Sequence, residues 1–210
     1  MKRMLIAFVP AVLVAATIAG GAAVQAKSPK LYSAALAPLN AGATFPTNTG
    51  GSYTIPTAGG TALVSVSGDD ITVTVNVTGV NPLTLHPQHI HAGTTCPTMA
   101  DDVNGDTVVD VIEGLPKYGP ILVNLDSDLS SNAAGMFPTA DANGTYTYNE
   151  SASRAHLQME LAEALRLGDR HVVIHGIDPS VMLPSSVASL PGLPAWATLP
   201  VACGMLHETQ

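Results

Sequence analysis

The sequence predicts an all-β domain, a Greek-key sandwich or barrel of short strands with one inserted helix. Three observations carry this reading. Residues 71–78 alternate apolar and polar side chains with period two, as a strand with one buried and one wet face does. Nineteen glycines and sixteen prolines in 210 residues suit many turns between short strands. Helical periodicity is confined to one stretch, near 153–167. The length is enough for one domain with a sizeable core.

Residues 1–26 read as a secretory signal and not as fold. Lys2 and Arg3 precede an apolar run, Met4 to Ala19, and Val24-Gln25-Ala26 places small residues at −3 and −1, so cleavage is expected after Ala26. The alternative is an uncleaved anchor, but the run falls short of spanning length. No cysteine follows it closely, so a lipid anchor is not implied. The mature chain is expected to be secreted or periplasmic, with no membrane attachment. Residues 27–58, rich in Pro, Thr, Ala, Gly and Asn, read as a loosely structured lead-in with room for one short strand. The domain proper is expected over 59–207. It opens with a hairpin, Ala62–Val66 and Ile71–Val77 about a Gly68-Asp69-Asp70 turn, followed by an extended run from Leu83 to His91. Further strands are predicted at 121–125, 145–148, 171–175 and 199–205. The helix is predicted at 153–167, where Leu157, Leu161, Ala164 and Leu165 share a face and Gly168 marks the exit.

A net charge of −8 gives the chain no field with which to hold phosphate backbones, so nucleic acid is excluded as a partner. Neither a GxSxG nor a Gly-rich phosphate loop occurs, which argues against hydrolase and nucleotide chemistry. Export makes an isolated cysteine pair, Cys96 and Cys203, read as a disulfide, since two thiolates on a metal would lack any CxxC spacing. Closing a loop of roughly a hundred residues stabilises a fold by roughly 4–5 kcal/mol in the chain-entropy model.

His89 and His91 are two apart, so on a strand both leave one face while Ile90 points the other way. Two imidazoles so placed make a pair of metal ligands, or simply two histidines on a wet strand face. Imidazole-only sites suit copper or zinc, and copper leads on intrinsic affinity. The stretch His171 to His175 reads as a strand ending in a further histidine. Its two histidines share a face about 13 Å apart, too far to hold one metal on a regular strand.

These segments, in their order, resemble the copper/zinc superoxide dismutases. His86-Pro87-Gln88-His89-Ile90-His91 is similar to that family's HxxHxH, Cys96 follows at a matching distance, and His171–His175 with Asp178 resembles its strand ending in a copper-binding histidine. Val201-Ala202-Cys203-Gly204 is similar to its closing Ala-Cys-Gly. The match runs in order over about Thr61–Leu206, by short motifs with unlike stretches between. It implies a Greek-key sandwich of the dismutase type, copper at His89, His91 and His175, a Cys96–Cys203 disulfide, and a structural, non-ligand role for His86. The chain departs from the family too. No histidine stands between His91 and His156 to bridge to zinc, so zinc is not expected, and Pro200 stands where the family has its anion-guiding arginine. A fourth copper ligand falls to His156, His86 or water. The sequence is also similar to secreted chordin-type domains, which share the strand–HIH arrangement.

Residues 102–113 spell a twelve-residue EF-hand-type calcium loop. Asp102, Asn104, Asp106, Asp110 and Glu113 stand at positions 1, 3, 5, 9 and 12, with the Val108 carbonyl at 7. Thr107 occupies position 6, where the turn prefers glycine, and Gly114-Leu115-Pro116 is expected to stop any following helix. The alternative is a solvated acidic turn. Met99, Met136, Met159, Met182 and Met205 read as core filler, His156 as a surface or core residue, His207 as a tail residue, and Trp196 as an anchor for a Pro-rich segment. Tyr146 and Tyr148 share a strand face, which β-propensity or binding explains equally. The expected protein is an exported metal binder, copper on strand histidines and calcium in the acidic loop, with weak or no dismutase activity and no identified protein partner. Two alternatives remain: a calcium-stabilised extracellular structural or adhesion module, and an active copper-only dismutase.

Overall fold

In the computed structural model, the described residues are 28–131, 133, 135–153 and 167–209. The signal segment 1–26 and nearly all of the helix expected at 153–167, with His156 and Met159, lie outside them. The all-β expectation is met. Among the described residues eleven strands are present: β1 Lys30–Pro38, β2 Thr44–Pro46, β3 Ser52–Thr54, β4 Gly59–Ser67, β5 Asp70–Thr78, β6 Gln88–His91, β7 Ile121–Asn124, β8 Tyr146–Ser153, β9 His171–His175, β10 Pro200–Met205 and β11 His207–Glu208. Among the described residues two α-helices, α1 Val111–Tyr118 and the one-turn α2 Ala195–Thr198, lie in the connections.

The main sheet runs β7-β6-β9-β10-β1-β4-β5-β8, with β11 added against β1 and all pairs antiparallel. Strand β5 leads to β6, β7 to β8 and β8 to β9 across the sheet, so neighbours in space are distant in sequence. The sheet folds on itself through β1: its first residues pair with β4 and β11, while Ala37 and Pro38 pair with β10. This corrects the expectation of a loose lead-in over 27–58. β1 joins the two halves of the sheet, and β2–β3 forms a separate hairpin. Its sequence, Lys-Leu-Tyr-Ser-Ala-Ala-Leu-Ala-Pro, buries Tyr32, Ala34 and Leu36 by strict alternation, a pattern that alanine makes faint at the sequence level.

The two halves enclose the core. Ile71, Val73, Val75 and Val77 of β5 face inward, as their spacing requires, and meet Ile90, Val172 and Ile174 from β6 and β9. The Tyr146 hydroxyl donates to Gln88 Oε1 at 3.1 Å and that of Tyr148 to the Asp126 carbonyl at 2.9 Å, so both tyrosines are core struts and not a binding face. Trp196 packs against the core, as expected. Met99, Met136, Met182 and Met205 do not fill the core: all four are exposed, Met136 at 78%. His207 lies in β11 and is exposed there.

Gly114-Leu115-Pro116 does not stop the chain from turning helical. α1 passes through all three residues, because Asp110 caps it: its Oδ1 accepts from the Ile112 and Glu113 N–H groups, and Glu113 Oε2 accepts from the Asp110 N–H. Pro116 leaves the Ile112 carbonyl without its helical donor, a cost an eight-residue capped helix bears when packing holds it. Gly114 admits the Tyr118 ring, since a Cβ there would stand 2.4 Å from Cε1.

Candidate metal centre

The face of β6 and β9 turned away from the core carries the histidines. On β6, Ile90 enters the core and leaves His89 and His91 on the outer face. Directly opposite His89 lies Val173, and opposite Val173 lies Cys203 on β10. His175 extends the same face by two residues, and its N–H donates to the Pro87 carbonyl. The pairing of β6 with β7 shifts register between Ile90 and His91.

The three rings converge. Centroids lie 5.6 Å apart for His89 and His91, 5.3 Å for His89 and His175, and 5.9 Å for His91 and His175. One nitrogen from each lies within 4.8 Å of the others. Hydrogen bonding identifies these nitrogens. His91 Nδ1 stands 2.8 Å from the Gly119 carbonyl and His175 Nδ1 2.8 Å from the Thr198 carbonyl. A carbonyl only accepts, so each Nδ1 carries the proton and each Nε2 presents a lone pair. Those two Nε2 atoms and His89 Nδ1 are buried without a protein partner. Three buried ring nitrogens without protein partners, gathered in so small a space and each costly to desolvate alone, fit a cation. The cluster is therefore a site that can bind a metal ion.

Electrostatics keep the site ready. Burial is the main cause holding all three imidazoles neutral, aided for His89 and His91 by the charge each neighbour would add. His91 is lowered to about 3, His175 to about 4, and His89 well below its ordinary value. A neutral imidazole is the form that ligates.

His171 pairs with His91 across the sheet but stays out of the trio; its ring lies beside the Gly93 and Thr94 backbone. The 13 Å separation expected from strand geometry accounts for that. His86 has both ring nitrogens 3.0 Å from carbonyls, those of His175 and Asn81, and so none to spare for a metal. The disulfide joins Cys96 to Cys203 with Cα atoms 5.8 Å apart, packing with Tyr118 and Val173 on the same face as the histidines.

In the acidic loop, Asp102 Oδ1 accepts from the Gly105 and Asp106 N–H groups and Oδ2 from that of Thr107, while Asn104 Oδ1 accepts from the Asp106 N–H. Thr107 has φ +79°, the left-handed turn the twelve-residue pattern needs at its sixth position. Asp106 Oδ2 is buried without a partner. Asp110 and Glu113 instead serve backbone groups: Asp110 Oδ2 accepts from the Ala188 N–H at 2.6 Å, and Glu113 Oε1 from those of Val103 and Asn104. Buried Asn40, with its amide on the Val109 and Pro200 carbonyls and its Oδ1 on the Val109 N–H, ties the loop's exit to β10.

Sequence reasoning missed the groups that surround the trio. Phe137 meets His89 edge-on at 5.2 Å, Tyr118 meets His91 at 4.7 Å, and the Gly119 and Thr198 carbonyls orient two rings. A backbone carbonyl has no signature in sequence. The glycine at 119 does, since it sits at φ +71° and a Cβ there would stand 2.7 Å from the Gly93 nitrogen.

No family model and no curated protein matches the chain. A solved structure similar to it is the Cu/Zn superoxide dismutase from Brucella abortus. Identity is 20%, the alignment covers 82% of this chain and 98% of that one, and the TM-score is 0.37.

Proposed function

We propose that this is an exported copper-binding protein of dismutase-like fold, with weak or no dismutase activity, in which His89 Nδ1, His91 Nε2 and His175 Nε2 hold one copper ion. The observation that carries this is the convergence of three neutral, buried, otherwise unpartnered imidazole nitrogens within 4.8 Å. An all-imidazole set favours copper over the earlier divalent metals of the first row, and over zinc on intrinsic affinity. Bound copper would supply one-electron redox chemistry. The chain's own contribution is orientation, through the Gly119 and Thr198 carbonyls, and exclusion of water by the surrounding apolar side chains. Rapid dismutation needs an attractive field for an anion; Pro200 stands in place of a guiding arginine, and the chain is acidic overall. Export is supported by the Cys96–Cys203 disulfide. No helix among the described residues is long and apolar enough to cross a membrane.

Titration of the metal-free protein with copper, followed by spectroscopy and metal analysis, tests the site. About one copper per chain with imidazole-type spectra is expected, and His89→Ala with His91→Ala should abolish it while the protein stays folded. Copper uptake equal to wild type in that double variant would overturn the assignment.

Calcium in the 102–113 loop is a second, compatible reading, supported by Thr107 at positive φ and by the unpartnered Asp106 Oδ2. Asp102, Asn104, Asp106 and the Val108 carbonyl would then be its ligands, with Asp110 and Glu113 contributing only if they release backbone partners. Calcium should raise the melting temperature of the wild type and not of Asp106→Ala. A full calcium response in that variant would refute the loop assignment.

A further inference from the structure

The histidine trio stands at the wall of a cavity of about 470 Å³. Leu85, Pro87, Leu115, Ile121, Phe137 and Leu193 supply much of the rest of the lining, and no lysine, arginine, aspartate or glutamate among the described residues joins them. The other polar side chains there are spent. The Tyr118 hydroxyl donates to the Val111 carbonyl at 2.9 Å, and the Thr198 hydroxyl is 2.9 Å from Ser189 Oγ. The three imidazole nitrogens are thus the polar atoms left without a protein partner on an otherwise apolar wall.

We propose that this cavity binds a small, uncharged organic molecule with an apolar, ring-sized body and one neutral donor atom. The body lies against the leucine and phenylalanine wall, and the donor is directed at the ion held by the histidines. This rests on the metal reading above and names the ligand class of the same site. Volume argues for it: small-molecule sites run about 300–1,000 Å³, whereas a water occupies about 30 Å³, so metal-bound water leaves most of the space unfilled. Charge argues the same way. Apart from the ion itself, the wall offers an entering anion no lysine or arginine to offset its lost hydration, on a chain of net charge −8. Leu115 and Leu193 are 38% and 52% exposed, so apolar surface continues from the cavity to the rim where a ligand would enter.

Calorimetric titration of the full mature chain, copper-loaded and metal-free, with 4-phenylimidazole, imidazole and azide tests the proposal. The first two share a donor and differ in apolar body; azide is the anionic probe. 4-Phenylimidazole is expected to bind the copper form about tenfold or more tighter than imidazole, because the ring buries apolar area. Leu115→Asp and Leu193→Asp, both at partly exposed positions, should remove that gain while leaving copper stoichiometry unchanged. Equal affinity for the two imidazoles on a copper-loaded protein, or tighter binding of azide, overturns the ligand class and leaves the metal site standing. A protein that retains no copper yet, metal-free, prefers 4-phenylimidazole supports the cavity and removes the metal reading. A dimer in gel filtration that Leu193→Asp dissociates, with no preference for 4-phenylimidazole, overturns the proposal in favour of a second copy covering the cavity.

Discussion

His91 shows how much one residue's role depends on atoms outside its own side chain. Its Nδ1–H is spent on the Gly119 carbonyl, its face on Tyr118, and its Nε2 is left for a cation. The same burial that readies the ligand sets a pH dependence. In the unfolded chain each imidazole titrates near 6.5, whereas His175 and His91 stay neutral down to about 4 and about 3. Between those limits the unfolded chain binds more protons, so stability is full above the unfolded value and falls as pH drops towards the folded ones. Each such histidine withdraws about 1.4 kcal/mol per pH unit. The denaturation midpoint of the metal-free protein should therefore fall between pH 7.5 and pH 5, a window above the usual carboxylate range. A midpoint that stays level across it would contradict the burial of these rings. His86, His89 and His171 are lowered by the same main cause and add to the slope.

Among the elements, α1 is the one whose existence and purpose separate most clearly. Its sequence, with glycine and proline in eight residues, argues against a helix; the cap and the packing of Tyr118 reverse that. The helix delivers Tyr118 and the Gly119 carbonyl to His91 and contributes Val111 and Leu115 to the cavity wall. Asp110 holds its start and, through Oδ2, the Ala188 N–H as well. Asp110→Ala should cost about 1–2 kcal/mol for the lost cap, and more for the buried N–H left unpaired. Copper affinity should fall with it, because Gly119 lies at the far end of the same helix. Unfolding curves and copper titration of one preparation check both, and a variant with unchanged stability would show that the cap is not what makes this helix.

For the whole molecule, β1 joins the two halves of the sheet, and the disulfide braces the half that carries the histidines. Cys203 lies on β10 next to β1, and Cys96 follows β6, so the link ties the loop ahead of the acidic segment to the last main strand. Its 107-residue separation gives a chain-entropy stabilisation of about 4–5 kcal/mol. Cys96→Ala with Cys203→Ala should lower unfolding free energy by an amount of that order and loosen the histidine face before the β4–β5 half. Hydrogen exchange read strand by strand checks this. Uniform loss of protection, with β4 and β5 opening together with β6 and β9, would show that the bond stabilises the sheet as one unit.

The sequence by itself determined the strands whose side chains alternate strongly, β4 and β5, because period two survives as a one-dimensional pattern. It likewise determined that His89 and His91 share a face, since a strand leaves no other choice at that spacing. Those residues, and the pairing of an isolated cysteine pair, were legible without coordinates. Strand β1 was not, because its alanines and serine carry little contrast, and neither was α1, whose cap acts through backbone groups. The motif likeness already named His175, and the tertiary structure shows how it joins the trio while His171 does not. That choice rests on which strand lies beside which and on two carbonyls, from Gly119 and Thr198, that assign the ring protons. It also decided that Asp110 and Glu113 hold a helix, whatever the rest of their loop binds. Distances between residues far apart in the chain are products of sheet order, and a linear pattern carries no record of them.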